Sequence, residues 1–149
     1  TKNSFTENST ETGKAIIDFA KQYLGMGNQE EFEEPGAWCG AFVRYITKNC
    51  GKEVAQWYQD MPDWETHACR YVRDAADNAD AIIDASEVEP GDIVLFDWEG
   101  GKTGKDHIAI VTKIENGKVY TIEGNWGNKV CEKERSLYSS DISYFCKLV

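Results

Sequence analysis

The spacing of apolar residues changes at Pro90-Gly91, and this change most limits which fold the chain can adopt. Before it, apolar side chains recur every three or four residues, a pattern typical of amphipathic helices. After it, short runs rich in β-branched and aromatic residues alternate with turn residues, a pattern typical of antiparallel strands. Helices followed by strands predict an α+β domain, with N-terminal helices packed on one side of a C-terminal antiparallel sheet.

The predicted helices cover residues 12–24, 38–49 and 66–79, and the first two are followed by glycines that act as terminators. The predicted strands cover residues 93–98, 107–114, 118–123, 129–134 and 142–148. In this arrangement Cys39 lies in the first turn of the second helix, and His107 opens the second strand.

Length and charge limit the class of protein. A chain of 149 residues with 41% apolar content is predicted to form one domain, residues 12–149, after a polar extension of residues 1–11. The net charge of −10 argues against nucleic acid and anionic membranes as partners. No run approaches the ~18 apolar residues that span a bilayer. Because the chain starts with Thr1 rather than Met, we expect any export signal or anchor to lie outside it.

The chain has five cysteines, which show neither a CxxC pair nor a Cys/His spacing suited to zinc, at positions 39, 50, 69, 131 and 146. An odd number leaves at least one thiol free if disulfides form, and we take Cys39 as that one. For the others two alternatives stay open. Either Cys131 pairs with Cys146 and Cys50 with Cys69, or all four are buried thiols in a reducing environment.

Cys39 and His107 are the candidate nucleophile and general base. A helix N-terminus stabilises a thiolate, and its unpaired N–H groups can bind the oxyanion formed when the thiolate attacks a carbonyl. His107 follows the polar stretch EGGKTGKD and is expected at a solvent-facing rim of the sheet. Taken alone, either residue is more often an ordinary buried Cys or surface His. His67 has no comparable partner pattern and is assigned no role.

The register of the 107–114 and 118–123 hairpin predicts a partner for the imidazole. A three-residue loop, residues 115–117, pairs position 114 with 118 and puts His107, Glu123 and Asn125 on one face. Glu123 then lies diagonally from His107, within the roughly 7–8 Å that long side chains bridge. A carboxylate or amide there would orient the ring and stabilise its protonated form.

Two further expectations depend on this register. The small residue Ala109 shares the face of His107, so we expect the Cys39 helix to pack there, while Ile108, Ile110 and Ile122 point to the opposite face. The rival is a two-residue Asn116-Gly117 turn, which would direct Glu123 away from His107 unless a bulge restored the pairing.

Four ordered segments resemble those of the CHAP family, the cysteine, histidine-dependent amidohydrolases and peptidases: AWCGAFVRYI (37–46), PGDIVLFDW (90–98), DHIAIVTKI (106–114) and YTIEGNWGNKV (120–130). The likeness covers roughly residues 12–148 and implies a fold similar to a small papain-like domain. It also implies Cys39 as nucleophile, His107 as base, Glu123 as the group that orients His107, and Asn125 as a further polar member.

The resemblance implies a monomeric hydrolase whose partner is bacterial peptidoglycan. Members of this family cleave either the bond between N-acetylmuramic acid and L-alanine or a bond within the stem peptide and cross-bridge, and they occur in phage lysins, secreted autolysins and conjugation-associated hydrolases. The expected location is extracellular or at the cell wall, reached through an export signal outside this chain or by phage delivery.

Substrate contacts and metal dependence are also predicted. Trp38, Trp98 and Trp126 are expected to line the substrate groove, with a role in the core as the alternative. Some phage members bind calcium in an Asp-rich loop before the cysteine, whereas residues 25–36 carry glutamates without alternating aspartates. We therefore predict no metal and no cofactor. Two other functions stay open: a wall-binding module that has lost the chemistry, and a thiol amidase acting on a substrate outside the wall.

Overall fold

The computed structural model describes residues 10–149, so residues 1–9 of the predicted polar extension lie outside the described residues. Helix α1 (Glu11–Lys21) begins inside that predicted extension, because Thr10 Oγ1 accepts a hydrogen bond from the Gly13 N–H (2.8 Å) and caps the helix. Among residues 10–149, no helix combines the length and the apolar content needed to cross a membrane.

Helix α2 (Cys39–Asn49) agrees with the predicted second helix and buries the expected apolar face of Phe42, Val43 and Ile46. Two short 3-10 helices, Glu30–Phe32 and Ala85–Glu87, lie in the connecting segments. The first of them gives the loop before α2 an apolar anchor, because Phe32 is buried and stacks on Trp38 with ring centroids 5.7 Å apart.

The predicted helix over residues 66–79 is wrong at its start. The chain there forms α4 (Asp63–Thr66) and α5 (Cys69–Asn78), preceded by the one-turn helix α3 (Gln56–Gln59). Ala68 between α4 and α5 is extended (φ −112°, ψ 113°), so the helical path is interrupted and Cys69 begins a new helix. Apolar spacing alone did not predict this break.

The strands of the described residues form one six-stranded antiparallel sheet, which confirms the predicted α+β fold. They are β1 (Ile82–Ile83), β2 (Ile93–Phe96), β3 (His107–Glu115), β4 (Lys118–Trp126), β5 (Lys129–Ser136) and β6 (Ile142–Cys146), and their order across the sheet is β1-β6-β2-β3-β4-β5. Strand β1 was not predicted, because two residues are too few to show alternation. β3, which begins with His107, lies between β2 and β4.

The sheet has an apolar core on each face. The helices pack on the face that carries the larger residues, among them Leu95, Ile108, Ile110 and Ile122. A smaller core on the other face contains Val94, Phe96, Ala109, Val111 and Val119. The prediction that the Cys39 helix packs on the Ala109 face is therefore wrong. The isoleucine-rich face offers more apolar area to cover, and the apolar stripe of α2 is buried there.

Gly124 of β4 provides the close approach that was predicted for Ala109. A Cβ atom at Gly124 would lie 2.7 Å from Phe42 Cβ and 2.9 Å from Trp38 Cζ3. The start of α2 thus rests directly on the backbone of β4, beside Glu123.

The β3–β4 hairpin has a two-residue turn, so the predicted three-residue loop is wrong. Glu115 pairs with Lys118, and both turn residues have positive φ, 53° at Asn116 and 75° at Gly117. Such angles characterise the type I′ turn, whose twist suits the flanking strands. Asn and Gly are the residues that adopt them most readily.

A bulge in β3 restores the pairing on which the site prediction depended. The register shifts between Val111 and Lys113, so that Val111 pairs with Thr121 as predicted even though the turn is one residue shorter. An extra residue in one strand reverses which side chains share a face. The bulge therefore returns His107 and Glu123 to the same side of the sheet.

We predict that Gly124→Ala lowers the free energy of unfolding by about 1–3 kcal/mol, because the added methyl group would force α2 away from β4. Chemical denaturation followed by circular dichroism measures the change. Gly27→Ala is the matched control: its added Cβ would lie 3.4 Å from the Asn128 carbonyl oxygen, and we expect a change within about 0.5 kcal/mol. Equal stability of the two variants would contradict the proposed close packing.

Candidate active site

Cys39 lies at the positive end of α2. The first intrahelical hydrogen bond runs from the Phe42 N–H to the Trp38 carbonyl (2.9 Å), so the N–H groups of residues 39–41 have no acceptor within the helix. Cys39 is nearly buried, with 7% exposed, and the Ile108 N–H helps to lower the pKa of its thiol. Helix dipole and backbone donors thus converge on one sulfur atom.

His107 joins Cys39 to Glu123. Its Nε2–H donates to Glu123 Oε1 at 2.8 Å, and its imidazole and the Cys39 thiol interact strongly enough to shift each other's pKa. Because Nε2 faces Glu123, Nδ1 is the ring nitrogen left for the sulfur. The structure brings these three predicted site residues together where α2 and β3 both begin, at the end of the sheet rather than across its face.

Glu123 is fully buried, and an arginine that sequence reasoning missed compensates its charge. Arg135 of β5 binds the carboxylate with two nitrogens, Nη1 to Oε2 at 2.5 Å and Nη2 to Oε1 at 3.1 Å. The Thr121 hydroxyl donates to the same Oε2 atom. With His107, this leaves both carboxylate oxygens hydrogen-bonded, which a buried anion requires.

The pKa shifts favour an ion pair between sulfur and ring. A hydrogen bond from Cys69 lowers the Cys39 pKa most, burial opposes it, and the bond to His107 and the charge of His107 lower it further, to about 4. Burial lowers the pKa of His107, but its hydrogen bonds to Cys39 and Glu123 outweigh that effect and raise it to about 9. Between these two values the thiolate and the imidazolium coexist.

Burial alone would keep Glu123 neutral, yet its pKa falls to about 2. Burial raises this pKa, and the hydrogen bonds from His107 and Arg135 lower it by more. The carboxylate is therefore charged throughout the range in which Cys39 and His107 form their ion pair. A permanent negative charge on the far side of the imidazole stabilises the ring in its protonated form.

Two of the three predicted groove tryptophans flank His107. Trp98 and Trp126 are 40% and 39% exposed, and their ring centroids lie 5.7 and 5.8 Å from that of His107. Lys133 Nζ lies 4.2 Å from the Trp126 ring centroid. Trp38 is different, because only 2% of it is exposed and it packs against Phe32 in the core. The predicted groove role is therefore corrected for Trp38.

Asn125 and His67 complete the predicted polar residues. Asn125 has a left-handed backbone (φ 63°) where the β4–β5 register shifts, and in the described part of the chain no hydrogen bond joins its side chain to His107. Glu123 is therefore the partner of the imidazole in this structure. His67 Nδ1 lies 3.0 Å from Glu34 Oε1, an interaction that ties the loop of residues 25–36 to the segment after α4.

All five cysteines lie in the described range and are free thiols. A Cys131–Cys146 disulfide is excluded by the strand order, since β2, β3 and β4 separate β5 from β6. Of the two alternatives left open by the sequence, the Cys50–Cys69 disulfide is not formed, and the Cys69 thiol interacts with Cys39 instead. Across residues 10–149, no group of three or more His, Cys, Asp or Glu side chains is placed to hold a metal ion.

Comparison with known proteins adds a family and a fold. The model of the CHAP domain family matches residues 30–125, well over half of the chain, and this range includes Cys39, His107 and Glu123. A solved structure titled "The crystal structure of Ly7917" has a TM-score of 0.52 and 17% sequence identity over 93% of this chain. The chain covers 63% of that structure's length. No curated protein matches the chain.

We predict that iodoacetamide alkylates Cys39 with a half-maximal rate near pH 4, since the thiolate persists down to its lowered pKa. The rate falls below that pH as the thiolate is protonated. In His107→Ala the midpoint moves to higher pH, because the imidazolium charge is lost. Peptide-level mass spectrometry separates Cys39 from the other thiols, with Cys50 as internal reference. A Cys39 midpoint near the ordinary thiol value of about 8.5 would contradict the ion pair.

Proposed function

Because the chain belongs to the CHAP domain family, a family of hydrolases of the peptidoglycan amidase and peptidase type, we propose that it cleaves an amide bond of bacterial peptidoglycan with Cys39 as nucleophile. The observation that carries the proposal is the chain of contacts from Cys39 through His107 to the buried Glu123. Nucleophile, base and orienting group are the three parts that thiol acyl transfer needs.

In the first half of the proposed cycle, the Cys39 thiolate attacks the scissile carbonyl carbon. The N–H groups of residues 39–41 stabilise the oxyanion, since they have no acceptor within α2 and lie at the helix end where Cys39 stands. His107, held as an imidazolium, then donates its proton to the departing amine. The products of this half are a thioester on Cys39 and a free amine.

In the second half, neutral His107 removes a proton from a water molecule, which attacks the thioester carbonyl carbon. The carbon–sulfur bond breaks, the carboxylic acid leaves and Cys39 returns as a thiolate. Glu123 stays charged throughout, so it stabilises the imidazolium each time it forms without changing its own protonation. Its bidentate contact with Arg135 supports this role.

The exposed rings of Trp98 and Trp126 support a substrate groove beside His107. Their centroids are 5.8 Å apart with planes at 74°, which gives two aromatic walls of different orientation. Flat aromatic faces pack well against sugar rings and peptide backbone. We propose that these two residues hold the wall fragment. The bond cut is either the N-acetylmuramoyl-L-alanine amide or a peptide bond in the stem or cross-bridge, and the released fragments identify which.

We predict that Cys39→Ala reduces the release of new amino groups from purified cell walls to the uncatalysed level, whereas Cys50→Ala retains wild-type release. Mass spectrometry of the wild-type fragments identifies the bond: a new N-terminal alanine indicates the amidase, and a cut inside the peptide indicates the endopeptidase. Undiminished release by Cys39→Ala would refute the nucleophile. Binding to walls without turnover by either protein would favour the wall-binding module.

We predict that Glu123→Gln lowers kcat by about 10²–10⁴-fold, because the imidazolium loses the negative charge that stabilises it. Asn125→Gly is the matched comparison, as it keeps a residue that tolerates the left-handed backbone and removes only the amide. We expect its kcat to stay close to wild type. Equal losses in the two variants would assign the orienting role to Asn125 as well.

A further inference from the structure

Two helices begin close to each other, and each begins with a cysteine. Cys39 is the first residue of α2 and Cys69 the first residue of α5. A Cβ atom at Gly40 would lie 2.7 Å from the Thr66 carbonyl oxygen and 2.9 Å from that of His67, so the segment leading into α5 packs directly on the first turn of α2. The two helix N-termini therefore converge.

The two thiols lie at this junction between the helix starts and influence each other. Both residues are buried, with 7% and 6% exposed, and each thiol is the largest influence on the pKa of the other. Neither mechanism step above uses Cys69. A second thiol beside a reactive thiolate is the partner with which a sulfenic acid condenses to a disulfide.

We propose that Cys69 is the resolving thiol of Cys39: a hydroperoxide converts the pair into a Cys39–Cys69 disulfide, which stops hydrolysis until a thiol reductant restores the two thiols. The disulfide chemistry rests on the geometry of the pair. Its consequence for wall cleavage rests on the proposed function.

The first step oxidises Cys39. Its thiolate attacks the nearer peroxide oxygen, a sulfur–oxygen bond forms and the oxygen–oxygen bond breaks. Sulfur loses two electrons and becomes the sulfenic acid, while the peroxide is reduced. The leaving hydroxide or alkoxide takes a proton from the His107 imidazolium and departs as water or an alcohol.

The second step closes the disulfide. Deprotonated Cys69 attacks the Cys39 sulfur, the sulfur–sulfur bond forms and the sulfur–oxygen bond breaks. The leaving hydroxide combines with the proton that Cys69 released, which gives a second water. A reductant with two thiols reverses the change. It becomes a disulfide itself and returns two electrons and two protons to Cys39 and Cys69.

The negative charge of Cys39 delays the second step until the first step has removed that charge. Three effects raise the pKa of Cys69: its hydrogen bond to Cys39, its burial and the negative charge of Cys39. In the working enzyme Cys69 therefore stays protonated beside the thiolate. Once Cys39 is a neutral sulfenic acid, the charge and the bond to the thiolate are gone, and Cys69 deprotonates more readily.

The proposal predicts reversible inactivation that depends on Cys69. Wild type, Cys69→Ser and Cys50→Ser are treated with hydrogen peroxide, then with dithiothreitol, and assayed on purified walls. We expect wild type and Cys50→Ser to lose activity and regain nearly all of it. Cys69→Ser is expected to lose activity and regain little, because its sulfenic acid is oxidised further to the irreversible sulfinic acid.

A second measurement on the same samples does not need the activity assay. Peptide mapping without reduction identifies disulfides, and iodoacetamide labelling reports free Cys39. Wild type should yield one cross-linked pair of peptides containing Cys39 and Cys69, whose mass is two hydrogen atoms less than the sum of the two free peptides. Its Cys39 should no longer be labelled by iodoacetamide. This result stands even if Cys69→Ser fails to fold or if the walls are not the substrate. Sulfinic acid on Cys39 with Cys69 still a free thiol in wild type would overturn the proposal.

Discussion

The buried carboxylate of Glu123 is the interaction on which the site depends. A charge with no exposed surface costs several kcal/mol to desolvate, and only complete pairing offsets that cost. Arg135 from β5, Thr121 from β4 and His107 from β3 provide the pairing. Three strands are thus fixed to one another by a single side chain. The same pairing keeps the imidazole charged, and Cys69 and the charged imidazole together keep Cys39 ionised.

Arg135 acts on Glu123, Glu123 acts on His107, and His107 in turn affects the reactivity of Cys39. The Arg135 guanidinium is 11% exposed and lies over the Phe96 ring, with 4.5 Å from Cζ to the ring centroid, so packing as well as charge holds it against Glu123. It binds both carboxylate oxygens and so holds the carboxylate in the orientation in which Oε1 also faces His107. The imidazole, in turn, has one nitrogen directed to Glu123 and one left for sulfur. Reactivity at Cys39 therefore depends on buried side chains behind the imidazole.

Sequence patterns predicted the elements of the site but not all of its geometry. Helical spacing placed Cys39 at a helix start, and strand composition placed His107 at a strand start, because both signals are local. The face shared by His107 and Glu123 was predicted from the wrong turn. The correct turn, Asn116-Gly117, reverses the faces, and the bulge in β3 reverses them again. A bulge is set by packing on both faces of a sheet, so apolar alternation in one strand does not locate it.

Arg135 and Cys69 were missed for related reasons. A second register shift, between Glu123 and Trp126, decides which β5 side chains share the face of Glu123, and its only local sign is the left-handed residue Asn125. Cys69 becomes a neighbour of Cys39 only because the helix breaks at Ala68 and the segment before it packs on Gly40. Long-range packing, which no periodicity encodes, brings both residues to the site.

The nucleophile and its base come from different halves of the chain, and this has a physical consequence. Cys39 and Cys69 start helices of the N-terminal half, whereas His107, Glu123 and Arg135 belong to the sheet. The ion pair therefore forms only when the helices are packed on the isoleucine-rich face, with α2 seated on Gly124. If that interface opened, the thiolate would lose the imidazolium and the Ile108 N–H together, and its pKa would rise, with Cys69 the remaining group that lowers it. A reactive sulfur is in this way restricted to the folded state.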